Sequence, residues 1–164
     1  MNLEKLESLS TELGELLTER NLLFTSAESC TGGWVGQSVT GVPGSSKWYG
    51  TGFITYSNTA KIKVLGVNKE TLKNFGAVSE EVVSEMVEGA LSLSNSQLGV
   101  AISGIAGPGG GTKERPVGTV CIAWLIEGEE VNSTTKLFSG NRNEVRYATV
   151  ECALINAIRL IKEN

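Results

Sequence analysis

LLFTSAESCTGGWVGQSVTG, residues 22–41, begins as an apolar β-forming run, meets a knot of small and polar residues, and continues as a stretch able to turn helical. Strand, turn and helix in that order is the unit from which α/β layers are built. Upstream, Leu3, Leu6, Leu9, Leu13, Leu16 and Leu17 recur at helical spacing and predict an amphipathic helix ending near Asn21. Downstream, the strand LLFTSA gives way at Thr31 to a helix that stops at the breaker run TGVPGSS, and KWYGTGFITYS reads as β-rich. Two short helical pieces, NTAKIKVLG and KETLKNFG, lead to a stronger helix. Ser79 caps it, Glu80 and Glu81 sit in the first turn where the helix dipole favours acids, and Val82, Val83, Met86, Val87, Ala90 and Leu91 form its apolar face.

LGVAISG is then apolar almost without interruption, as suits a strand buried on both faces. It opens into the long loop GIAGPGGGTKERP, after which VGTVCIAWLIEG and EVNSTTKLFSG predict a hairpin across Gly128. A last helix starts at Asn141, with Glu144 in capping-box position, and carries Val145, Ala148, Leu154, Ile158 and Ile161. The expected architecture is a single-domain layered α/β/α fold with a mixed sheet over residues 1–164. Such sheets place sites at the carboxyl ends of strands, where Ser29 and Gly104 fall.

Composition removes several function classes. With 40% hydrophobic and 20% charged residues among 164, the chain can build one sizeable core. A net charge of −4 speaks against polyanions, so neither nucleic acid nor an anionic membrane is an expected partner, although a local basic pocket for a small anion is compatible with it. No histidine is present, and Cys30, Cys121 and Cys152 show no paired spacing, which leaves the usual zinc constellations unbuildable and predicts reduced thiols. MNLEKLESLSTELGELL has acids throughout and no continuous apolar run, so it is expected to be neither signal peptide nor membrane span, and the protein is expected in the cytoplasm. A homo-oligomer is left open.

Two stretches carry candidate chemistry. GIAGPGGGTKERP lacks a lysine placed between a glycine and Ser or Thr, and it leads to a strand rather than a helix, which excludes a Walker loop and a dinucleotide fingerprint. What remains is a backbone N–H cradle for an anion, with Lys113 and Arg115 adding charge, set against a mobile loop with no ligand. In AESCTGG, amides at a helix start offer an oxyanion or phosphate site, set against a plain helix cap at Ser29 or Thr31. A nucleophilic serine needs a base, and without histidine a lysine is the best-attested choice. STTK, Ser133 to Lys136, has the S-x-x-K spacing, but on a strand those side chains point to opposite faces. Lys61 in TYSNTAKIK is the better candidate if apolar neighbours keep its amine neutral, and a solvated surface lysine is the alternative.

TSAESCTGGWVGQSVTGVPGSS, GFITYSNTAKIKVLGV, GAVSEEVVSEM, ISGIAGPGGGTKERPVGTV and FSGNRNEVR together resemble the C-terminal domain of the CinA proteins over nearly the whole chain, a family that includes stand-alone nicotinamide mononucleotide deamidases. The resemblance implies hydrolysis of the carboxamide of nicotinamide mononucleotide to nicotinic acid mononucleotide and ammonia, in NAD recycling, by a Ser/Lys amidohydrolase without metal or organic cofactor. It puts the nucleophile at Ser29 and the general base at Lys61, with Tyr56 a hydrogen-bonding partner. Amides of the turn Cys30, Thr31, Gly32 and Gly33 would hold the oxyanion, and the loop containing Ser103, Gly104 and Gly107 would shape the nucleotide pocket. Arg142 or Arg146 would hold the phosphate through the guanidinium fork. These residues have no counterpart of the larger N-terminal domain of many CinA proteins, which fits the dedicated deamidase, and GTKERP adds charge that bears on substrate preference. Two rivals are a nucleotide-binding module without catalysis, and a hydrolase using Cys30, whose thiol would be acidified at a helix start.

Overall fold

The structure, a computed structural model, describes residues 1–164. In chain order the elements are α1 (Leu3–Glu19), β1 (Phe24–Glu28), α2 (Trp34–Thr40), a 3-10 turn (Ser45–Lys47), β2 (Tyr49–Ile54), α3 (Asn58–Leu65), α4 (Lys69–Phe75), α5 (Glu80–Ser94), β3 (Leu98–Gly104), β4 (Thr119–Ile126), β5 (Asn132–Leu137) and α6 (Arg142–Glu163). Five strands form one mixed sheet in the order β2-β1-β3-β4-β5. β1 runs parallel to both β2 and β3, while β4 is antiparallel to β3 and β5.

The two-residue period of the strands divides the interior in two. Phe24, Leu98, Val100, Ile102, Val120, Ile122 and Trp124 face α1, α2 and α6; Ala27, Ala101, Cys121 and Ala123 face α3, α4 and α5. Large residues on one side and small ones on the other let α5 lie close to the sheet, and a Cβ added at Gly99 would sit 2.9 Å from Leu91 Cδ1. That arrangement accounts for the unbroken burial of β3 from Leu98 to Ser103. On the opposite side, the indole N–H of Trp124 donates to the carbonyl of Ala153 at 2.9 Å, so the largest buried side chain leaves no polar atom unpaired.

Helix ends follow their sequence signals. Ser57, Asn68 and Ser79 accept amide hydrogens at the starts of α3, α4 and α5, and the capping box of α6 forms between Asn141 and Glu144. β4 and β5 make the expected hairpin, with Gly128 in the left-handed region at φ 86°. One boundary differs: α2 starts at Trp34 rather than at Thr31, because Gly32 and Gly33 have φ of 63° and 94° and cannot belong to a right-handed helix. Its N-cap position is Gly33, so neither Ser29 nor Thr31 caps it.

Candidate active site

β1 ends at Glu28, and the next residue, Ser29, donates its amide to the carbonyl of Ile102 on β3 at 3.0 Å. That bond fixes Ser29 at the carboxyl edge of the two central parallel strands, where it is 8% exposed. Lys61 stands in the first turn of α3 and is 1% exposed. Its Nζ lies 3.0 Å from Ser29 Oγ, 2.8 Å from the carbonyl of Thr55 and 3.5 Å from that of Tyr56. No carboxylate pairs with it, the ion pairs of the molecule being Lys5–Glu151, Lys73–Glu70, Arg159–Glu163 and Lys162–Glu12. Burial therefore holds the amine below the usual lysine range, with the neighbouring Cys30 acting in the opposite direction. A neutral amine has two N–H donors and one lone pair, which matches two carbonyls and one hydroxyl. Lys61 is thus not the solvated lysine that its type would suggest.

The turn between β1 and α2 is closed by its own side chain. Glu28, 1% exposed, accepts the amides of Gly33 and Val35 on Oε2 at 3.0 and 3.1 Å and that of Gly36 on Oε1 at 3.0 Å. The Gly32 amide donates to the carbonyl of Ser29 at 3.1 Å. Of the four turn amides expected to hold an oxyanion, those of Gly32 and Gly33 are therefore taken, and those of Cys30 and Thr31 have no backbone acceptor. Gly32 and Gly33 serve the turn by their left-handed backbone instead.

Cys30 is packed into the core beneath Ser29, and burial pushes its thiol up to about 12. A thiol in that state is a poor nucleophile, which speaks against the rival reading of a hydrolase using an acidified Cys30. The hydroxyls of Thr31 and Thr55 are buried beside this centre with no hydrogen-bond partner.

The two candidate arginines differ in their engagements. Arg146 donates Nε to the carbonyl of Cys30 at 3.1 Å and Nη2 to that of Thr31 at 2.8 Å, and it lies over the Trp34 ring 5.2 Å from the centroid. It braces the turn. Arg142 is exposed at the start of α6 and donates to the carbonyl of Gly107 at 2.8 Å and to the phenol oxygen of Tyr56 at 3.0 Å. Tyr56 thus reaches the Lys61 amine only with its main chain, and its side chain, 62% exposed, belongs to a rim made with Arg142 and Gly107.

A family model described as the CinA C-terminal domain matches residues 6–161. The chain belongs to the CinA C-terminal domain family. Among relatives of this CinA domain, a protein of Escherichia coli strain K12 named nicotinamide-nucleotide amidohydrolase PncC is 48% identical over 150 residues, covering 92% of this chain and 91% of its own. The crystal structure of the competence/damage inducible protein CihA from Agrobacterium tumefaciens superposes with a TM-score of 0.92 at 41% identity, over 95% of each chain. A CinA superfamily protein from Klebsiella pneumoniae superposes with a TM-score of 0.94 at 35% identity over the full length of both.

Within the CinA domain, Ser29 and Lys61 meet directly, and Tyr56, Gly107 and Arg142 form one cluster. Ser103 and Gly104 lie at the end of β3 opposite Cys121 and Val120, with no hydrogen bond from the Ser103 side chain to the dyad. Arg115 is directed elsewhere: it packs toward Gly76, where a Cβ would come within 2.9 Å of its Nη1. Ser133 of STTK donates to Glu80 Oε2 at 2.9 Å, away from Lys136, as its place on β5 requires. Sequence reasoning missed Glu28, Ser26, Tyr49 and Thr55. For Glu28 a signal existed, since an acid at the last position of a buried strand has to find several donors.

Proposed function

We propose that this chain hydrolyses nicotinamide mononucleotide to nicotinic acid mononucleotide and ammonia through an acyl-enzyme on Ser29, and so serves the recycling of pyridine nucleotides. The observation that carries the reading is a buried lysine amine without a counter-ion, 3.0 Å from a serine hydroxyl at the end of a central strand. The name of the E. coli relative, nicotinamide-nucleotide amidohydrolase, supports the choice of substrate.

The geometry supports the following steps. Neutral Lys61 takes the hydroxyl proton of Ser29, and Oγ attacks the carboxamide carbon. The oxyanion would be held by the amides of Cys30 and Thr31, which have no backbone acceptor. The lysine ammonium then gives its proton to the amide nitrogen, the C–N bond breaks and ammonia leaves. Water loses a proton to Lys61 and attacks the ester, and collapse of that adduct breaks the bond to Oγ, which regains its proton from the lysine. Arg142, exposed on the rim with N–H donors to spare, is the residue for the phosphate, and Arg146 is held by the turn it braces. No metal or organic cofactor enters these steps. The test is ammonia release from nicotinamide mononucleotide, which Ser29→Ala should lower by at least about a thousandfold with the fold intact. A parent protein that binds the nucleotide and releases no ammonia would be a binding module instead.

A further inference from the structure

Glu28 is a buried carboxylate with no cation beside it, and the mechanism above gives it nothing to do. Its side chain shares a face of β1 with Ser26, as the two-residue period requires, and both point toward α2. Oε2 receives the amides of Gly33 and Val35, and Oε1 receives the amide of Gly36 and, at 3.4 Å, the hydroxyl of Ser26. Ser26 Oγ is in turn 2.9 Å from the phenol oxygen of Tyr49, whose burial pushes its pKa up and keeps it a neutral partner. The phenol reaches that point through a gap left by two glycines: a Cβ at Gly52 would lie 2.0 Å from its oxygen, and one at Gly36 would lie 3.0 Å away. The main chain of Glu28 is engaged as well. Its carbonyl accepts the amide of Thr55 at 2.9 Å, and the Thr55 carbonyl accepts Lys61 Nζ at 2.8 Å.

An ordinary cap sits at the helix boundary and satisfies donors one turn on. Glu28 reaches across from the other side of the turn, so the separation between the end of β1 and the start of α2 is set by a side chain while Ser29, Cys30, Thr31 and Gly32 bridge it. We infer that Glu28, with Ser26 and Tyr49 behind it, is the positioning residue of the nucleophile turn, fixing the Ser29 hydroxyl and the amides of Cys30 and Thr31 relative to Lys61. This rests on the reading of Ser29 as the nucleophile. Two consequences follow from donor and acceptor chemistry. A glutamine at this position has one oxygen and one NH2 group, so at least one backbone amide of α2 faces another donor and the turn must shift to relieve it. A shift on the order of 1 Å at a reacting centre costs about a hundredfold in rate without weakening the grip on distant parts of the substrate.

The experiment measures kcat and KM for ammonia release from nicotinamide mononucleotide in Glu28→Gln and Ser26→Ala, with Ser29→Ala alongside and folding followed by circular dichroism and Tm. Glu28→Gln should be folded, with kcat down about a hundredfold and KM within about threefold of the parent. Ser26→Ala, which removes one bond to Oε1 and leaves the three amides in place, should lower kcat by about three- to tenfold at unchanged KM. Parental kcat in Glu28→Gln, with Ser29→Ala inactive, would make Glu28 a helix cap and overturn the inference alone. A raised KM at parental kcat would do the same by assigning Glu28 to binding. Should Glu28→Gln fail to fold, Ser26→Ala decides: a reduced kcat supports the inference and a parental one overturns it. Full activity in Ser29→Ala would remove the nucleophile reading and this inference with it.

Discussion

Lys61 shows at the scale of one residue how function opposes stability. Its amine is held below the unfolded value of 10.5 by burial, so the folded protein binds fewer protons than the unfolded chain over the interval between the lowered pKa and 10.5. Stability contributed by this group therefore rises with pH across that interval, and below it the cost of burying the charge is present in full. Replacing the amine by an apolar chain removes the cost: Lys61→Met should raise stability by about 1 kcal/mol, or Tm by about 3 °C, while abolishing turnover. A lowered Tm in that variant would mean that the three hydrogen bonds of Lys61 outweigh its desolvation. For catalysis the sign is the same, since the proposed mechanism needs the neutral amine, and the rate should rise with pH across an apparent pKa below that of a free lysine. Lys61→Gln should bind nicotinamide mononucleotide and lose nearly all turnover, and Lys61→Arg should be equally inactive because guanidinium stays protonated. Next to it, Cys30→Ala is expected to keep kcat within about threefold of the parent, because a thiol held near 12 is a packing group; equal losses in Cys30→Ala and Ser29→Ala would reinstate the thiol.

At the scale of elements, the placement of Lys61, the proposed base, depends on where α3 sits against α5. A Cβ added at Gly89 on α5 would lie 2.0 Å from the Leu65 carbonyl oxygen and 2.8 Å from its carbon, so the end of α3 rests directly on that glycine. Backbone cannot swing aside as a side-chain tip can, and α3 must move as a unit. Gly89→Ala should accordingly cost about 1–3 kcal/mol and also reduce kcat, by moving Lys61 from Ser29, with no change in any residue of the site. Measured kcat at the parental level in a folded Gly89→Ala protein would show that α3 pivots about its first turn and leaves Lys61 in place. The turn between β1 and α2 makes the complementary point: Gly32 and Gly33 delay the start of α2, and Glu28 and Arg146 grip the turn that remains.

At the scale of the whole molecule, one mixed sheet separates two unequal interiors, and the candidate site lies where its parallel strands end. β1, β2 and β3 run in the same direction, so Ser29, Thr55 and Gly104 emerge at one edge, and the packing of α3 and α6 brings Lys61 and Arg142 to it. A site assembled from so many segments of a histidine-free chain is proposed to work by proton transfer between a hydroxyl and an amine. Exhaustive treatment with EDTA should then leave ammonia release unchanged. A loss restored by adding a divalent metal would require a different mechanism.

Local signals in the sequence determined the helices, their caps at Ser57, Asn68, Ser79 and Asn141, the two-sided burial of β3 and the hairpin at Gly128, because each depends on periodicity or on groups within one turn of each other. They also determined the family, since five motifs in order are a property of the linear chain. Strand order was beyond reach, because the pairing of β1 with β3 joins residues on either side of four helices. So was the lowered pKa of Lys61: the same side chain exposed on α3 would be an ordinary cation, and only the closure of Thr55, Cys30 and Ser29 around it removes the water. The helix-start amides were legible as donors, but which of them remain free was decided by a carboxylate folding back across the turn, a choice made by three-dimensional reach rather than by spacing along the chain.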